Sequence, residues 1–107
     1  MSVKTFENHI GGIWMPSANG KTYTITNPAR KNSVLGKFQF SDHRDAIKAV
    51  DAAVAAQLEW SNTPAPSRAV ILFKALSILG QRADEIAESI TIEEGKPIAD
   101  SKGEVKR

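Results

Sequence analysis

Cysteine is absent from the 107 residues. Its absence excludes disulfides, thiolate metal centres and any cysteine nucleophile within this chain. Histidine is nearly as scarce. His9 and His43 are the two present, and they fall on different expected elements with no partners indicated for metal ligation or general-base work. Both read as surface or hairpin residues. No apolar run approaches the roughly 18 residues needed to cross a bilayer. The opening "MSVKTFENHIGG" has no long apolar centre of the secretory kind, so the expected setting is the cytoplasm. An excess of one charge is missing too: 14 lysines and arginines face 12 aspartates and glutamates, a net charge of +2. The sequence pI near 9.0 therefore reflects a small imbalance, a thin basis for a nucleic-acid partner. Trp14 and Trp60 lack the interleaved arginines of a stacking platform for single strands. They read as core anchors at the ends of a hairpin and of the first helix.

What is present suits a globular chain, with 41% hydrophobic and 24% charged residues. The length allows one domain, and at this size roughly two-thirds of the unfolded surface can be buried. The segment "HIGGIWMPSANGKTYTITNP" reads as a hairpin. Ile10, Ile13 and Trp14 supply strand-favouring bulk, "PSANG" supplies turn chemistry, and Lys21 to Thr26 alternate. Tyr23 and Ile25 then share one face, opposite Thr22, Thr24 and Thr26. After Pro28 and the loop "ARKNS", "VLGKFQF" is a third strand with Val34, Phe38 and Phe40 on one side.

The pattern changes at Ser41. "SDHRDAIKAVDAAVAAQLEW" offers Ser41 as a helix N-cap, Asp42 and Asp45 in the first turn, and Ile47, Val50, Val54 and Leu58 at helical spacing. "NTPAP" ends that helix and opens the next, where Pro64 and Pro66 are tolerated. Arg68 lies in its first turn, where the helix dipole disfavours a cation, so a carboxylate or carbonyl partner is expected. The body carries Val70, Ile71, Leu72, Phe73, Leu76, Ile78 and Leu79, a set too wide for one stripe. Such a helix wants neighbours on more than one side. Gly80 is expected to weaken or kink it. "ADEIAESITIEEG" follows as a further helix with Ile86, Ile90 and Ile92 inward. Gly95 then suits a helix stop and Pro97 a new start, with Ile98 and Val105 on one face.

The fold class expected is therefore an α+β fragment: a hairpin and a third short strand over residues 1–40, then three or four helices over 41–107, forming one partial domain. The strands cannot close a barrel, and apolar faces remain on the helices and the hairpin. The chain reads as incomplete, its core to be finished by something else.

Four stretches carry a family resemblance: "WMPSANGKTYTITNPA", "AVDAAVAAQLEW", "TPAPSRAVILFKA" and "ITIEEGKPIADSKGEVKR". In this order and spacing they resemble the N-terminal segment of NAD(P)-dependent aldehyde dehydrogenases, over about Ile10 to Arg107. Departures are Gly11, where the family often has asparagine, and "NPARKNSVLG" in place of the commoner "NPATGE". The longer loop together with "TPAPSRA" resembles the branch acting on ketoglutaric semialdehyde, with succinate-semialdehyde enzymes next.

The resemblance implies an α/β fold in which this segment belongs to the cofactor-binding lobe. It also implies oxidation of an aldehyde to an acid through a cysteine thiolate, hydride transfer to NAD or NADP, and glutamate-assisted hydrolysis of a thioester. The cysteine is missing here, and the segment precedes the family's dinucleotide-binding glycines and its asparagine oxyanion donor. Gly11 and Gly12 stand in an expected hairpin rather than between a strand and a helix, the wrong context for that motif. No catalytic residue, no cofactor-binding residue and no bound cofactor are expected in this chain alone. The resemblance further places Glu93 as a ligand of a structural monovalent-cation site, with a backbone carbonyl from Thr26; hard cations take such oxygens. The plainer reading of Glu93 and Glu94 is a solvated helix end. Lys96 could approach a phosphate, or balance the helix terminus that Gly95 closes. The expected partner is the remainder of such an enzyme. A self-associating or partner-binding module without activity, driven by the faces around Leu72, Phe73, Leu76 and Leu79, is the alternative.

Overall fold

The computed structural model describes residues 3–107. In order these residues form strands β1 (Asn8–Ile10), β2 (Ile13–Met15), β3 (Thr22–Thr26) and β4 (Val34–Gln39). Helices α1 (His43–Asn62), α2 (Ala65–Gln81), α3 (Ala83–Glu94) and α4 (Ile98–Val105) follow. The α+β order expected from the sequence holds. The chain divides into two compact units. One runs up to Ile25 and resumes over Val34–Asn62; the other comprises Thr26–Ser33 and Thr63–Arg107.

In the first unit the strand pairing differs from the expected one. The tight hairpin joins β1 to β2 across Gly11 and Gly12, with His9 opposite Trp14 and Ile10 opposite Ile13. Both loop glycines have positive φ, 60° and 81°, as a two-residue loop that matches the strand twist requires. "PSANG" makes a turn, with the Gly20 N–H donating to the Ser17 carbonyl at 2.9 Å, but it connects β2 to β3 without pairing them. β3 pairs with β4 instead. Tyr23, Phe38 and Phe40 do share a face, with Tyr23 ring centroids 6.2 Å from each phenylalanine. Phe6 stacks on Phe38 at 4.8 Å. Thr5 bridges Lys37 in parallel, and Gly36 is buried beneath Phe6, where a Cβ would lie 2.6 Å from the ring.

The start of α1 is a corrected detail. Asp42, not Ser41, caps the helix: its Oδ1 accepts from the Arg44 N–H at 2.9 Å. Asp45 reaches back, accepting from the Asp42 N–H at 3.0 Å and from the Ala18 N–H at 2.9 Å. This is a reciprocal capping arrangement. Ser41 instead accepts a hydrogen bond from the Asn8 amide at 2.8 Å. Nearby, Ser17 and Asn19 knit the turn to β4: the Ser17 N–H donates to Gln39 Oε1, and the Asn19 amide donates to the Phe40 carbonyl, both at 2.8 Å. The body of α1 leaves Ile47, Val50, Val54 and Leu58 exposed, Leu58 at 72%.

In the second unit, α2 begins with Pro64 at its N-cap and Pro66 in its first turn and buries none of its residues. Phe73 is 69% exposed and Leu72 62%. Gly80 does not break the helix, which runs on to Gln81; the interruption falls at Arg82. Arg68 is half-buried and is not without a partner. α3 and α4 pack side by side around small residues. Ala87 and Ser101 are fully buried, and the Thr91 and Ser101 hydroxyls lie 2.8 Å apart across the pair. Ile86 and Ile90 are half-buried on this inner side, whereas Ile92 is exposed. The reading of both tryptophans as core anchors is overturned. Trp14 is 65% exposed and stacks at a tilt on His9, centroid to centroid 4.7 Å, and Trp60 is exposed as well. The hairpin turns its inner side toward α1, where Gly11 comes close to Ala52. Trp14 is left on the outside.

Candidate functional site

The two residues marked as cation ligands, Thr26 and Glu93, both lie in the second unit. Thr26 closes β3 and is followed by a compact loop built by Asn27. The buried Asn27 side chain accepts from the Ala29 N–H at 2.8 Å, an Asx turn. Its backbone N–H donates to the Ser33 carbonyl at 2.9 Å, and its carbonyl accepts from the Arg30 N–H at 3.0 Å. The loop is therefore set by its own backbone.

Glu93 sits in the last turn of α3, which Gly95 ends in the left-handed conformation (φ 72°, ψ 21°) with its N–H donating to the Thr91 carbonyl at 2.9 Å. Only glycine enters this conformation freely. Gly95 also lies hard against the loop: a Cβ there would stand 2.9 Å from Pro28 Cγ and 3.0 Å from the Ala29 nitrogen. This close approach brings the end of α3 onto the residues that follow Thr26. Gly95 is the position that sequence reasoning undervalued. A linear pattern marks it as a helix stop and cannot show its contact with the loop.

Charge is distributed unevenly around this junction. The Lys96 ammonium lies 2.9 Å from Glu94 Oε2 and 2.6 Å from Glu104 Oε1, tying α3 to α4. Those hydrogen bonds, Glu104 first and Glu94 second, raise the Lys96 pKa above the ordinary lysine value. Its ammonium is thus committed to carboxylates, not presented to a phosphate. Glu93 is exposed, and its carboxylate enters no hydrogen bond or ion pair among the described residues. An open carboxylate and a backbone carbonyl are hard oxygen donors, which suit an alkali or alkaline-earth ion. Two donors do not complete such a shell.

No catalytic constellation gathers elsewhere among the described residues. His9 and His43 do line one open groove of about 580 Å³ in the first unit, with Ser41 and Asp45, a juxtaposition with no signal in the sequence. The carboxylates there are occupied by capping. Asp42 also holds Arg44 in an ion pair at 2.7 Å, and the guanidinium hydrogen bonds keep its carboxyl well below the usual aspartate range. No cluster of three or more histidine, aspartate or glutamate side chains placed to hold a metal occurs among the described residues. Gly11 and Gly12 join two strands, so the strand-to-helix context of a dinucleotide motif is not met there. Among the described residues no helix is long and apolar enough to cross a membrane.

Comparison with known proteins gives these features a common origin. The model of the aldehyde dehydrogenase family matches residues 14–107. The chain is 48% identical over 101 residues to an α-ketoglutarate semialdehyde dehydrogenase of Haloferax volcanii, covering 94% of this chain and 21% of that enzyme. It is 41% identical over 105 residues to a malonate-semialdehyde dehydrogenase of Bacillus pumilus, covering 98% and 21%. The solved structure of a 3,6-anhydro-L-galactose dehydrogenase in complex with NAP superposes with a TM-score of 0.92 at 32% identity, over 96% of this chain and 21% of that one. The chain thus spans about one fifth of the length of the relatives it matches. It belongs to the aldehyde dehydrogenase family and corresponds to the N-terminal segment of those enzymes.

Proposed function

We propose that this chain is the N-terminal portion of an NAD(P)-dependent aldehyde dehydrogenase acting on a semialdehyde in the cytoplasm, and that it is inactive by itself. The observation that carries this reading is the state of α1 and α2. Their aliphatic side chains lie within the stretch matched by the family model yet stand exposed in a chain that spans one fifth of its relatives. In this reading the remainder of the enzyme covers them and supplies the thiolate. NAD(P), bound by that remainder, accepts the hydride. This segment contributes no atom to the chemistry; it forms part of the framework on which the cofactor lobe is built. The relatives' names support a semialdehyde substrate, ketoglutaric before malonic or succinic.

Within that framework, Thr26 and Glu93 are proposed to contribute a carbonyl and a carboxylate to a structural monovalent-cation site. The hard-oxygen chemistry of the donors and the close seating of Gly95 on the Pro28–Ala29 loop support it. The remaining ligands lie outside these two residues. On its own the chain would use the same apolar faces to associate with itself.

The test is a chimera in which this chain replaces the corresponding fifth of the Haloferax relative. The expected result is a folded enzyme that oxidises ketoglutaric semialdehyde, while the chain alone turns over no semialdehyde with NAD or NADP. Turnover by the chain alone, or a chimera that folds without activity, would overturn the reading.

A further inference from the structure

Among the asparagines of the chain, Asn19 alone is followed by glycine, Gly20. That dipeptide has a chemistry of its own. Glycine has no Cβ to shield its amide nitrogen, so the nitrogen can reach the side-chain carbonyl carbon of the residue before it. Once deprotonated, the Gly20 nitrogen bonds to Asn19 Cγ, the Cγ–Nδ2 bond breaks, and the amide leaves as ammonia with the released proton. Water then opens the cyclic imide at either carbonyl. The product is aspartate or, with the main chain rerouted through Cγ, isoaspartate. Water is the one co-reactant.

The fold holds both reacting groups away from this step. The Gly20 N–H donates to the Ser17 carbonyl at 2.9 Å, so its proton is engaged. Asn19 Oδ1 accepts from the Lys21 N–H at 2.8 Å and lies 3.0 Å from the Ser17 hydroxyl. Nδ2 donates to the Phe40 carbonyl at 2.8 Å and approaches Asp42 Oδ2 at 3.4 Å. The side chain is thus tied to the end of β4 and to the cap of α1, and turning it toward the Gly20 nitrogen requires these bonds to open together. Water is at hand, because Asn19 is half-buried and Gly20 exposed.

We propose that Asn19–Gly20 is a latent site of self-modification, closed while the turn is seated on β4 and opened when the first unit loosens, and that its product cannot be seated again. An ionised aspartate at position 19 has no proton to give the Phe40 carbonyl. Its carboxylate falls where Nδ2 lay, 3.4 Å from Asp42 Oδ2, so a donor contact becomes a like-charge contact. Isoaspartate adds a backbone carbon at the same turn. Each opening that ends in reaction therefore leaves a permanent mark at one residue.

The experiment incubates the full chain in mildly alkaline buffer, folded or in guanidinium chloride. Residue 19 is followed by peptide mapping with mass spectrometry and by enzymatic methylation of isoaspartate. In denaturant Asn19 should react ahead of the other asparagines. In the folded chain its reaction should be slower by at least about tenfold, since only the opened fraction reacts. Gln39→Ala removes the acceptor of the Ser17 N–H at 2.8 Å; it should speed the folded-state reaction and leave the rate in denaturant unchanged. Ser17→Ala serves in its place should that variant lose amide dispersion. Asn19→Asp, which reproduces one product, should lower the denaturant midpoint. Equal rates in the folded and denatured chain, no reaction at Asn19 in denaturant, a folded-state rate that neither loosening variant raises, or an Asn19→Asp chain as stable as the unaltered one would each overturn the inference.

Discussion

α2 and the α3–α4 pair belong to the same unit and are built on opposite principles. α2 carries the richest aliphatic surface in the chain and buries none of it. The α3–α4 pair is sealed by alanine and hydroxyl groups, Ala87 and Ser101 being fully enclosed. A free-standing domain normally does the reverse, enclosing its large side chains and leaving serine and threonine outside. The same inversion holds in the first unit, where Ser17 and Asp45 are buried while Val54 and Leu58 are not. Polar hydrogen bonds hold the local pieces in shape, and the apolar faces stand open.

Breaking one of the internal polar ties should cost most. Asp45→Ala removes the acceptor for two backbone N–H groups, those of Asp42 and Ala18, and should lower stability by about 3 kcal/mol in urea unfolding. Gly36→Ala comes next. The added methyl meets the Phe6 ring at 2.6 Å and the Lys4 carbonyl at 3.1 Å, and overpacking of this kind costs about 2 kcal/mol; a lowered thermal midpoint would show it. Gly95→Ala forces a side chain into a left-handed residue pressed on Ala29. Left-handed backbone alone costs about 1–2 kcal/mol, and amide shifts of Asn27 to Ala29 should move with it.

Acid should produce a smaller effect. Hydrogen bonds hold Asp42 (from Arg44), Asp84 (from Lys102) and Glu85 (from Arg82) below their ordinary pKa values. Lowered carboxyls contribute stability that is complete above the ordinary carboxylate range and is lost as pH falls through the lowered values. Urea midpoints should therefore stay level from pH 7 to about 5 and decline below about 4, modestly, because all three pairs are solvated. Smallest of all, Leu72→Ser on α2 should change stability by no more than about 0.5 kcal/mol while reducing association in light scattering. A loss of several kcal/mol there would mean that the chain does cover this face itself, and the contrast between the two regions would fail.

Much of this was legible in the residues. Helical spacing of Ile47, Val50, Val54 and Leu58 marked α1, and the "EEGKP" stop and start marked the junction of α3 and α4. The breadth of the apolar set on α2 marked a helix whose aliphatic side chains stay uncovered. The hairpin went astray because two turn signals competed. "GG" and "PSANG" both suit turns, and the choice depends on which strands find partners, a long-range matter. The cap shifted from Ser41 to Asp42 because Asp45 could answer one and not the other. Trp14 misled because aromatic bulk ordinarily seeks a core, and here the hairpin faces the alanines of α1 with His9, Ile10 and Gly11. The clasp of Lys96 with Glu104 and the seating of Gly95 on Ala29 join residues whose neighbourhood no periodicity encodes.

The parallel bridge between Thr5 and Lys37 has a bearing on how the chain acquires its shape. The leading segment has no strand to lie beside until β4 exists, and its ring contact through Phe6 and Phe38 waits for the same event. The segment around Thr5 and Phe6 is therefore seated only once β4 has formed. Closing the loop between them makes β4 the gatekeeper of that segment.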